Sequence, residues 1–451
     1  MSQCSILNRS ETSDQMIRPL ATAPSVTAPS VTAPLVTAPL ATAPLALKLP
    51  DGRPARAAWT LDARLVHINH GSFGAVPLVT QERQNALRSE MDAAPVAWFP
   101  ALPRRVKEAR TTIAEFLGVS ADSTALVPNA SGGASIVYTS LPVKPGLEIV
   151  VTDHGYGAVT MGAERLARRW NGTVRTAHIP LNATADQAHD AVIAELSDVT
   201  GLIVLDHITS PTARLLPVET ISAEAKRRGI PILVDGAHMP GLYDHPIAGL
   251  DCDFWIGNLH KFGCSPRGAS VLVARGPFAD ELYPLIDSWG APYPFPERFD
   301  TQGTLDLTSY LAAPTSLDFI EQTWGWGDAR RYMTELADYA ERIIADAFGA
   351  ITGENHLVDV GMPVNALRLV RLPGGIATTH ADADALRDRV LHELGVEGAF
   401  TSFDGVGYYR LSTHIYNTAA DFEYFVEHCV PPLVEWALEE SRAHYFQQQH
   451  H

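Results

Sequence analysis

The sequence has 451 residues, of which 46% are hydrophobic, and its 51 acidic and 34 basic residues give a net charge of −17. This length allows two domains with separate cores, and the acidic balance argues against a nucleic-acid partner. No uninterrupted apolar run approaches the roughly 18 to 20 residues that a membrane span needs, so we expect no membrane partner. The four cysteines lack metal-ligand spacing, which favours free thiols in a reducing cytoplasm and no metal site.

Residues 1–57 differ in composition from the rest of the chain. Between Thr22 and Leu45 a five-residue unit beginning Thr-Ala-Pro recurs. A proline in every fifth position blocks helices and sheet ladders, so we expect a disordered tail here. The start of the chain lacks the basic segment and continuous apolar core of a secretory signal peptide, although a transit peptide stays open as an alternative. A cytoplasmic location is therefore expected.

From residue 58 onward the sequence predicts strands that alternate with helices. A short strand and turn are expected at 66–74, and further strands at 147–152, 202–205, 232–234 and 271–274. Helices are predicted at 80–90, 107–117, 159–169, 186–196 and 222–228. Strands separated by helices form a mostly parallel sheet with helices on both faces. We therefore expect an α/β large domain over 58–315.

The carboxyl-terminal third predicts a smaller α+β domain over 316–445. One or two long helices at 315–348 lead into it. Strands are expected at 366–370 and 407–412, and helices at 381–394 and 420–438.

Two residues in the middle of the chain point to a cofactor. Asp235 ends the apolar run that begins at Ile232, and Lys261 follows a histidine just before a turn rich in glycine and proline. Buried parallel strands present catalytic groups at their carboxyl ends. An acid that faces a pyridinium nitrogen and a lysine that forms a Schiff base are the groups that pyridoxal 5'-phosphate (PLP) chemistry requires. The pair therefore predicts a PLP site.

A second feature fits a phosphate group. The apolar run at 125–127 opens into the small-residue turn Asn-Ala-Ser-Gly-Gly and then into a predicted helix. The free amides and positive dipole end of a helix N-terminus favour anions. This turn is common in α/β chains and is weak evidence by itself.

Six motifs together resemble the class V aminotransferase family of fold-type I PLP enzymes, and within it the isopenicillin N epimerase-like branch. They are N-H-G-S-F-G (69–74), D-H-x-Y (153–156), V-D-G-A-H (234–238), G-N-x-H-K followed by S-P-R-G (257–268), G-T-x-D (303–306) and R-L-S-x-x-x-Y-N (410–417). The resemblance implies PLP as cofactor, a large sheet domain and a smaller C-terminal domain.

The resemblance also implies a role for particular residues. Lys261 matches the Schiff-base lysine, Asp235 the partner of the pyridine nitrogen, and Arg410 the arginine that binds the substrate α-carboxylate. His238 matches the partner of the cofactor's 3-oxygen, and either His154 or Tyr156 stacks on the ring. The expected phosphate ligands are His260, Asn258, Ser131 and Gly132, and the expected substrate contacts are Asn69, His70 and Ser72. Gly303 and Thr304 match a loop that reaches the neighbouring subunit's cofactor, which implies a homodimer with shared sites.

The chain departs from the branch at three positions. Gly155 stands where the branch has glutamate, Phe262 where it has tryptophan, and Leu305 where it has arginine. Losing that arginine removes a contact for a polar substrate tail, which suggests an amino acid substrate other than isopenicillin N.

The resemblance leaves several reactions open. We expect an enzyme of specialised metabolism that acts on an α-amino acid through an external aldimine and a carbanion, with β-elimination from a cysteine S-conjugate favoured. Amino acid epimerisation, transamination and oxidative decarboxylation are alternatives on the same scaffold. An epimerase needs a second acid beside Lys261, for which His70 and His207 are candidates. A catalytically inactive binding protein of the same fold is the alternative from another class.

Overall fold

The computed structural model describes residues 42–142 and 144–448. The predicted disordered tail lies outside the described residues up to residue 41. Its last part is described: Leu47 packs against the hydrophobic core, and Ala55 is buried at the start of a 3-10 helix over Ala55–Ala58. No helix in the described part of the chain is long and apolar enough to cross a membrane.

Twelve α-helices and twelve strands are found in the described residues. The helices are α1 His70–Phe73, α2 Leu78–Ala93, α3 Pro95–Leu117, α4 Ala130–Ser140, α5 Gly157–Arg169, α6 Ala185–Ala194, α7 Val218–Arg228, α8 Thr308–Thr323, α9 Trp326–Thr352, α10 His380–Leu394, α11 Ala419–His428 and α12 Val430–Gln448. The strands are β1 Val66–His67, β2 Thr124–Val127, β3 Glu148–Thr152, β4 Val174–Ala177, β5 Thr200–Asp206, β6 Ile232–Asp235, β7 Phe254–Asn258, β8 Ser270–Ala274, β9 Leu367–Arg371, β10 Val396–Glu397, β11 Phe400–Phe403 and β12 Val406–Ser412.

The main sheet has seven strands in the order β2-β8-β7-β6-β5-β3-β4. Strand β8 is antiparallel to both of its neighbours, and the other pairs are parallel. Alternate residues of β5 belong to two different hydrophobic cores. Ile203 and Leu205 pack in the core on one face of the sheet, and Leu202 and Val204 pack in the core on the other face. Both faces are therefore covered, as parallel sheets require. This confirms the expected α/β fold with a mostly parallel sheet.

A second, smaller sheet lies towards the C-terminus. It is antiparallel, with the order β11-β12-β9, and it packs with α10, α11 and α12 around its own core. Helix α9 connects the two cores, because Met333 belongs to the first and Phe348 to the second. Helix α8 packs on α2 and α3. The division into 58–315 and 316–445 stays our proposed domain boundary.

Three local features differ from the sequence-based predictions. The turn expected after β1 is the short helix α1. Strands β4, β10 and β11 were not predicted because they are short and partly polar, and the buried strand β7 was not predicted either. The single helix expected at 420–438 is two helices, α11 and α12. Pro431 and Pro432 lie just after the junction, in the first turn of α12. Proline has no amide proton to donate, which the first turn of a helix tolerates but the interior of a continuous helix does not.

The N-terminal segment runs alongside the smaller sheet. Strand β1 pairs in parallel with β10, and Asn69 forms a bridge with Ser412 at the end of β12. Gly74 then passes so close to the main domain that a Cβ atom there would lie 1.7 Å from the carbonyl oxygen of His260. Only glycine fits this position, which brings the segment 69–74 against the residues around Lys261.

Candidate active site

A cavity of about 290 Å³ lies at the carboxyl ends of β5, β6 and β7. This edge of a parallel sheet is where ligands bind in such folds. The sequence-predicted residues that line the cavity are Ser72, Ser131, Tyr156, Asp235, His238, Asn258, His260 and Lys261. The structure therefore brings together residues from five separate parts of the chain.

Lys261 is the central amine of this cavity. Its side chain is buried, and its Nζ lies 3.0 Å from His238 Nε2. Burial, together with the charge of Arg410, lowers the pKa of Lys261 to about 7. A large fraction of the amine is then unprotonated at neutral pH, as a nucleophile or base must be.

Two buried carboxyl groups lie beside this amine. Asp235 accepts a hydrogen bond from the Ala237 amide at 2.9 Å, and burial raises its pKa to about 6. Asp206 ends the neighbouring strand at the same register and also lines the cavity. Burial and the charge of Asp235 raise the pKa of Asp206 well above its usual range. Sequence reasoning missed Asp206, although it ends an apolar run just as Asp235 does.

His238 contacts both the lysine and the N-terminal segment. Its Nε2 lies 3.1 Å from the carbonyl oxygen of Gly71 as well as 3.0 Å from Lys261 Nζ. Burial holds the pKa of His238 well below its usual range, so the ring is neutral. A neutral imidazole can donate to Gly71 or accept from Lys261, depending on which nitrogen carries the proton.

One end of the cavity suits an anion. The N-terminus of α4 opens there, and Ser131 lies in its first turn. Asn258 accepts from the Ala130 amide at 2.9 Å and from Ser270 Oγ at 2.7 Å, so it fixes the position of this helix end. The Nδ1 atom of His260 is buried and has no hydrogen-bond partner. Free donors at a helix N-terminus form a site for a phosphate group.

Two further residues belong to this end of the cavity. Arg267 lines it, donates to the Gly74 carbonyl at 2.9 Å, and has no carboxylate within 4.0 Å among the described residues. Sequence reasoning quoted its S-P-R-G motif but gave Arg267 no role. Gly132, expected as a phosphate ligand, donates its amide to Asn129 Oδ1 at 2.7 Å instead.

The structure places His154 and Tyr156 differently. His154 is fully buried; its ring nitrogens lie 2.6 Å from Thr212 Oγ1 and 2.7 Å from the Ile179 carbonyl oxygen, and its ring stacks on Phe403 at 4.3 Å. Tyr156 is half exposed and lines the cavity. Of the two rings that could cover a cofactor, only that of Tyr156 faces the cavity in the described chain.

Arg410 lies on β12, outside the cavity wall, and contacts two residues that line the cavity. It is 4% exposed, and its terminal nitrogens donate to the Ser210 carbonyl at 2.7 Å and to Ser72 Oγ at 2.9 Å. A longer contact of 3.4 Å reaches Asn69 Oδ1. Burial lowers the pKa of Arg410 to about 10, which still leaves it charged. No carboxylate of the described residues lies within 4.0 Å, and its Nε has no acceptor. This buried charge lacks its counter-ion.

His70 lies behind Lys261 rather than in the cavity. Its Nε2 donates to the Lys261 carbonyl at 2.9 Å, and its Nδ1 lies 3.0 Å from the hydroxyl of Tyr416. The ring stacks at 3.8 Å on His414, whose Nε2 lies 3.2 Å from the Phe262 carbonyl oxygen. The two histidines thus hold consecutive carbonyl groups of the lysine loop. Cys264 is close enough to both for a three-residue metal site, but both nitrogens of His70 already have partners.

The remaining predicted site residues lie on the surface. Gly303 and Thr304 are exposed, and neither lines the cavity in the described chain. Leu305 beside them is 39% exposed.

These features together define a PLP-type site: a buried lysine, a carboxyl pair at strand ends, a helix N-terminus and, beside the cavity, an arginine without a carboxylate partner in the described chain. The aminotransferase class-V family model matches residues 101–359, and the chain belongs to this family of PLP-dependent enzymes.

Known relatives and solved structures agree with this assignment. The chain is 30% identical over 397 residues to isopenicillin N epimerase of Streptomyces clavuligerus. This alignment covers 84% of the present chain and 97% of the epimerase. It is 26% identical over 403 residues to putative L-cysteine desulfhydrase 1 of Oryza sativa subsp. japonica, covering 80% and 82%. The cystine C–S lyase C-DES, solved in complex with cysteine persulfide, has a TM-score of 0.69 at 19% identity and covers 81% of the chain and 97% of that chain. The last comparison confirms the expected fold.

The residues present fit the cofactor of the family. Lys261 would carry PLP, Asp235 would face its ring nitrogen, and α4 with His260 and Arg267 would hold its phosphate. The Nδ1 atom of half-buried His260 supports this fit: it is buried and has no partner in the described chain, and such an atom needs a ligand to satisfy it.

Proposed function

We propose that the protein cleaves the carbon–sulfur bond of a cysteine S-conjugate by β-elimination, as an enzyme of specialised metabolism in the cytoplasm. The observation that carries this proposal is the Arg410 guanidinium, which has no carboxylate partner among the described residues and contacts Ser210 and Ser72 in the wall of the cavity that holds Lys261 and Asp235. An α-amino acid offers a carboxylate for Arg410 and an amine that can reach the cofactor carried by Lys261.

Arg410 would orient the substrate. Its present acceptors, Ser210 and Ser72, are neutral, so an incoming carboxylate supplies the missing negative charge. A planar guanidinium can bind both carboxylate oxygens, which fixes the direction of the bonds at the α-carbon. Because Arg410 is almost fully buried, water competes poorly for this contact.

Lys261 would move the proton. PLP, when bound, supplies an electron sink for the α-carbon. The amine takes the α-proton, the α-carbon electron pair forms the new double bond to the β-carbon, and the β-carbon–sulfur bond breaks with its electrons leaving on sulfur. The thiolate then takes a proton, and hydrolysis of the remaining three-carbon fragment gives pyruvate and ammonia. A pKa of about 7 lets Lys261 both accept and return a proton at neutral pH.

The two histidines expected as the second acid of an epimerase do not line the cavity. His70 is engaged with Lys261 and Tyr416, and His207 Nδ1 accepts a hydrogen bond from Trp255 Nε1 at 3.5 Å. This favours the lyase, although Asp206 and Tyr156 line the cavity and also carry protons. Epimerisation remains the second candidate, because the isopenicillin N epimerase relative aligns along most of the chain.

Product analysis in heavy water separates these reactions. Purified protein with PLP is incubated with S-substituted cysteines and other amino acids. We expect pyruvate and a free thiol in equal amounts, and neither product from Lys261→Arg. Recovered amino acid with deuterium at an inverted α-carbon, without pyruvate, would instead identify an epimerase. No turnover and no PLP binding would support the inactive binding protein.

We also propose a homodimer with shared active sites. The segment 283–305 carries several exposed apolar side chains beside Gly303 and Thr304, namely Tyr283, Leu285, Ile286, Trp289, Tyr293 and Leu305. Trp289 is 91% exposed. Exposed apolar clusters of this kind mark interaction surfaces. Light scattering should give a dimer mass for the wild type and a monomer for Trp289→Asp, whereas a monomeric wild type would contradict the proposal.

A further inference from the structure

A second cavity, of about 760 Å³, adjoins the first. The two cavities share Phe73 and Arg267 in their walls. The larger one is formed by the N-terminal segment, α2 and α10, and it includes Asn69 and His70, which the sequence predicted to contact substrate. The first cavity therefore adjoins a larger space at Phe73 and Arg267.

The first cavity leaves little room for a long substrate. Its volume of about 290 Å³ is at the lower end of the roughly 300 to 1,000 Å³ of ligand sites. PLP and the amino acid head group would occupy it between α4, the two aspartates and Ser210, which contacts Arg410. A side chain longer than that of cysteine must leave this space, and the shared wall gives it a direction.

The walls of the second cavity are polar, and most of their charges are already paired. His67 lies 2.5 Å from Glu397, Arg88 donates to Asp306 at 2.9 Å, and Arg387 donates to Asp384 at 2.7 Å. The amide nitrogen of Gln81 donates to Thr60 Oγ1 at 2.9 Å and to the Val76 carbonyl at 2.8 Å, and that of Gln84 donates to Thr308 Oγ1 at 3.4 Å. The side-chain oxygens of both glutamines accept no hydrogen bond in the described part of the chain. Such walls suit an uncharged group with hydrogen-bond donors.

We infer that the second cavity binds the sulfur substituent of the substrate, and that this substituent is extended and carries amide-like hydrogen-bonding groups. The inference rests on the proposed function and narrows its substrate class. Cysteine itself and S-methylcysteine would leave this cavity empty. A larger conjugate would fill it and gain the contacts of its walls.

Two substrates with similar leaving groups test this inference. S-methyl-L-cysteine and S-(2-acetamidoethyl)-L-cysteine both release an alkyl thiol, so a difference in kcat/KM reports binding of the substituent. We expect wild-type protein to favour the acetamidoethyl compound at least tenfold. Leu391→Trp narrows the second cavity from α10, and Gln84→Trp narrows it from α2. Each variant should lower the long-to-short ratio of kcat/KM at least tenfold.

The control is His392→Trp, an exposed position on the same helix that lines neither cavity. It should keep the wild-type ratio. A wild-type ratio at or below one, or a ratio that both tryptophan variants leave unchanged, would overturn the inference while pyruvate release still supports the lyase. If wild-type protein releases pyruvate from neither compound, the proposed function fails and the inference fails with it.

Discussion

Asp206 and Asp235 lie directly opposite each other at the ends of the neighbouring parallel strands β5 and β6, and both line the cavity. Two buried carboxyl groups this close do not ionise together easily. The pKa of Asp235 is about 6, so it is largely ionised at neutral pH, and its charge attracts Lys261. Burial and the charge of Asp235 raise the pKa of Asp206, so Asp206 stays protonated to a higher pH. Of the two carboxyl groups, Asp206 therefore keeps its proton to a higher pH than Asp235.

Asp206→Asn should raise the thermal stability of the protein, increasingly so as the pH rises. The pKa of the Asp206 carboxyl group is 3.8 in the unfolded chain and is raised in the fold. At pH values between these two pKa values, Asp206 is ionised in the unfolded protein but protonated in the native protein. Wild-type stability therefore falls with rising pH through this window, and asparagine removes that loss. Differential scanning fluorimetry of both proteins at several pH values between 4 and 8 checks this. A stability difference that shrinks as the pH rises would contradict the assignment.

Attachment of PLP to the apoprotein should speed up as the pH rises through about 7. The free amine of Lys261 is the reactive form, and its pKa of about 7 sets the midpoint. Stopped-flow absorbance after mixing apoprotein with PLP gives the rate at each pH. A midpoint near 10, the ordinary value for lysine, would show that burial and Arg410 do not lower the pKa of Lys261 in solution.

Tyr156→Ala should weaken PLP binding several-fold, because aromatic stacking contributes about 0.5 to 1.5 kcal/mol. Tyr156→Phe keeps the ring and should bind PLP almost as the wild type does. His154→Ala should instead lower the melting temperature, since it removes two buried hydrogen bonds and the contact with Phe403. Equilibrium titration and thermal melts of the three variants separate the two roles. If folded His154→Ala loses more PLP affinity than Tyr156→Ala does, His154 rather than Tyr156 is the residue that stacks on the cofactor.

Arg410→Gln should lower kcat/KM for the amino acid substrate by about 30-fold or more, because removing one partner of a buried charge pair costs about 2 to 5 kcal/mol. Arg410→Lys should restore only part of this, since an ammonium cannot reproduce the planar two-point contact. Steady-state kinetics with the same substrate measures both. PLP affinity should change little, and equal losses of PLP affinity and kcat/KM would contradict a role in substrate binding.

The sequence predicted best what depends on local pattern. An apolar run that ends in an acid indicated β6 and Asp235, and a lysine before a glycine-rich turn indicated Lys261. The alternation of such runs with helical periodicity predicted the parallel sheet. The prediction of the sheet is confirmed, because a buried parallel strand is apolar along its whole length and polar where it ends. The roles of Asp235 and Lys261 stay predictions.

What depends on distant contacts could not be predicted. Asp206 becomes part of the site only because β5 pairs with β6 in register. The choice between His154 and Tyr156 depends on how the chain turns before α5, since residues two apart there face different surroundings. The second cavity depends on β1 pairing with β10, which brings together segments separated by 330 residues.

The central claim is that Lys261 carries the cofactor, and covalent trapping tests it most directly. Purified protein is incubated with PLP, reduced with borohydride and digested, and the modified peptide is identified by mass spectrometry. Wild-type protein should carry the label on Lys261, and Lys226→Arg, a surface change beside Asp251, should do the same. Lys261→Arg should carry none. A label on another lysine in the wild type, or a label that persists elsewhere at full yield in Lys261→Arg, would contradict the account.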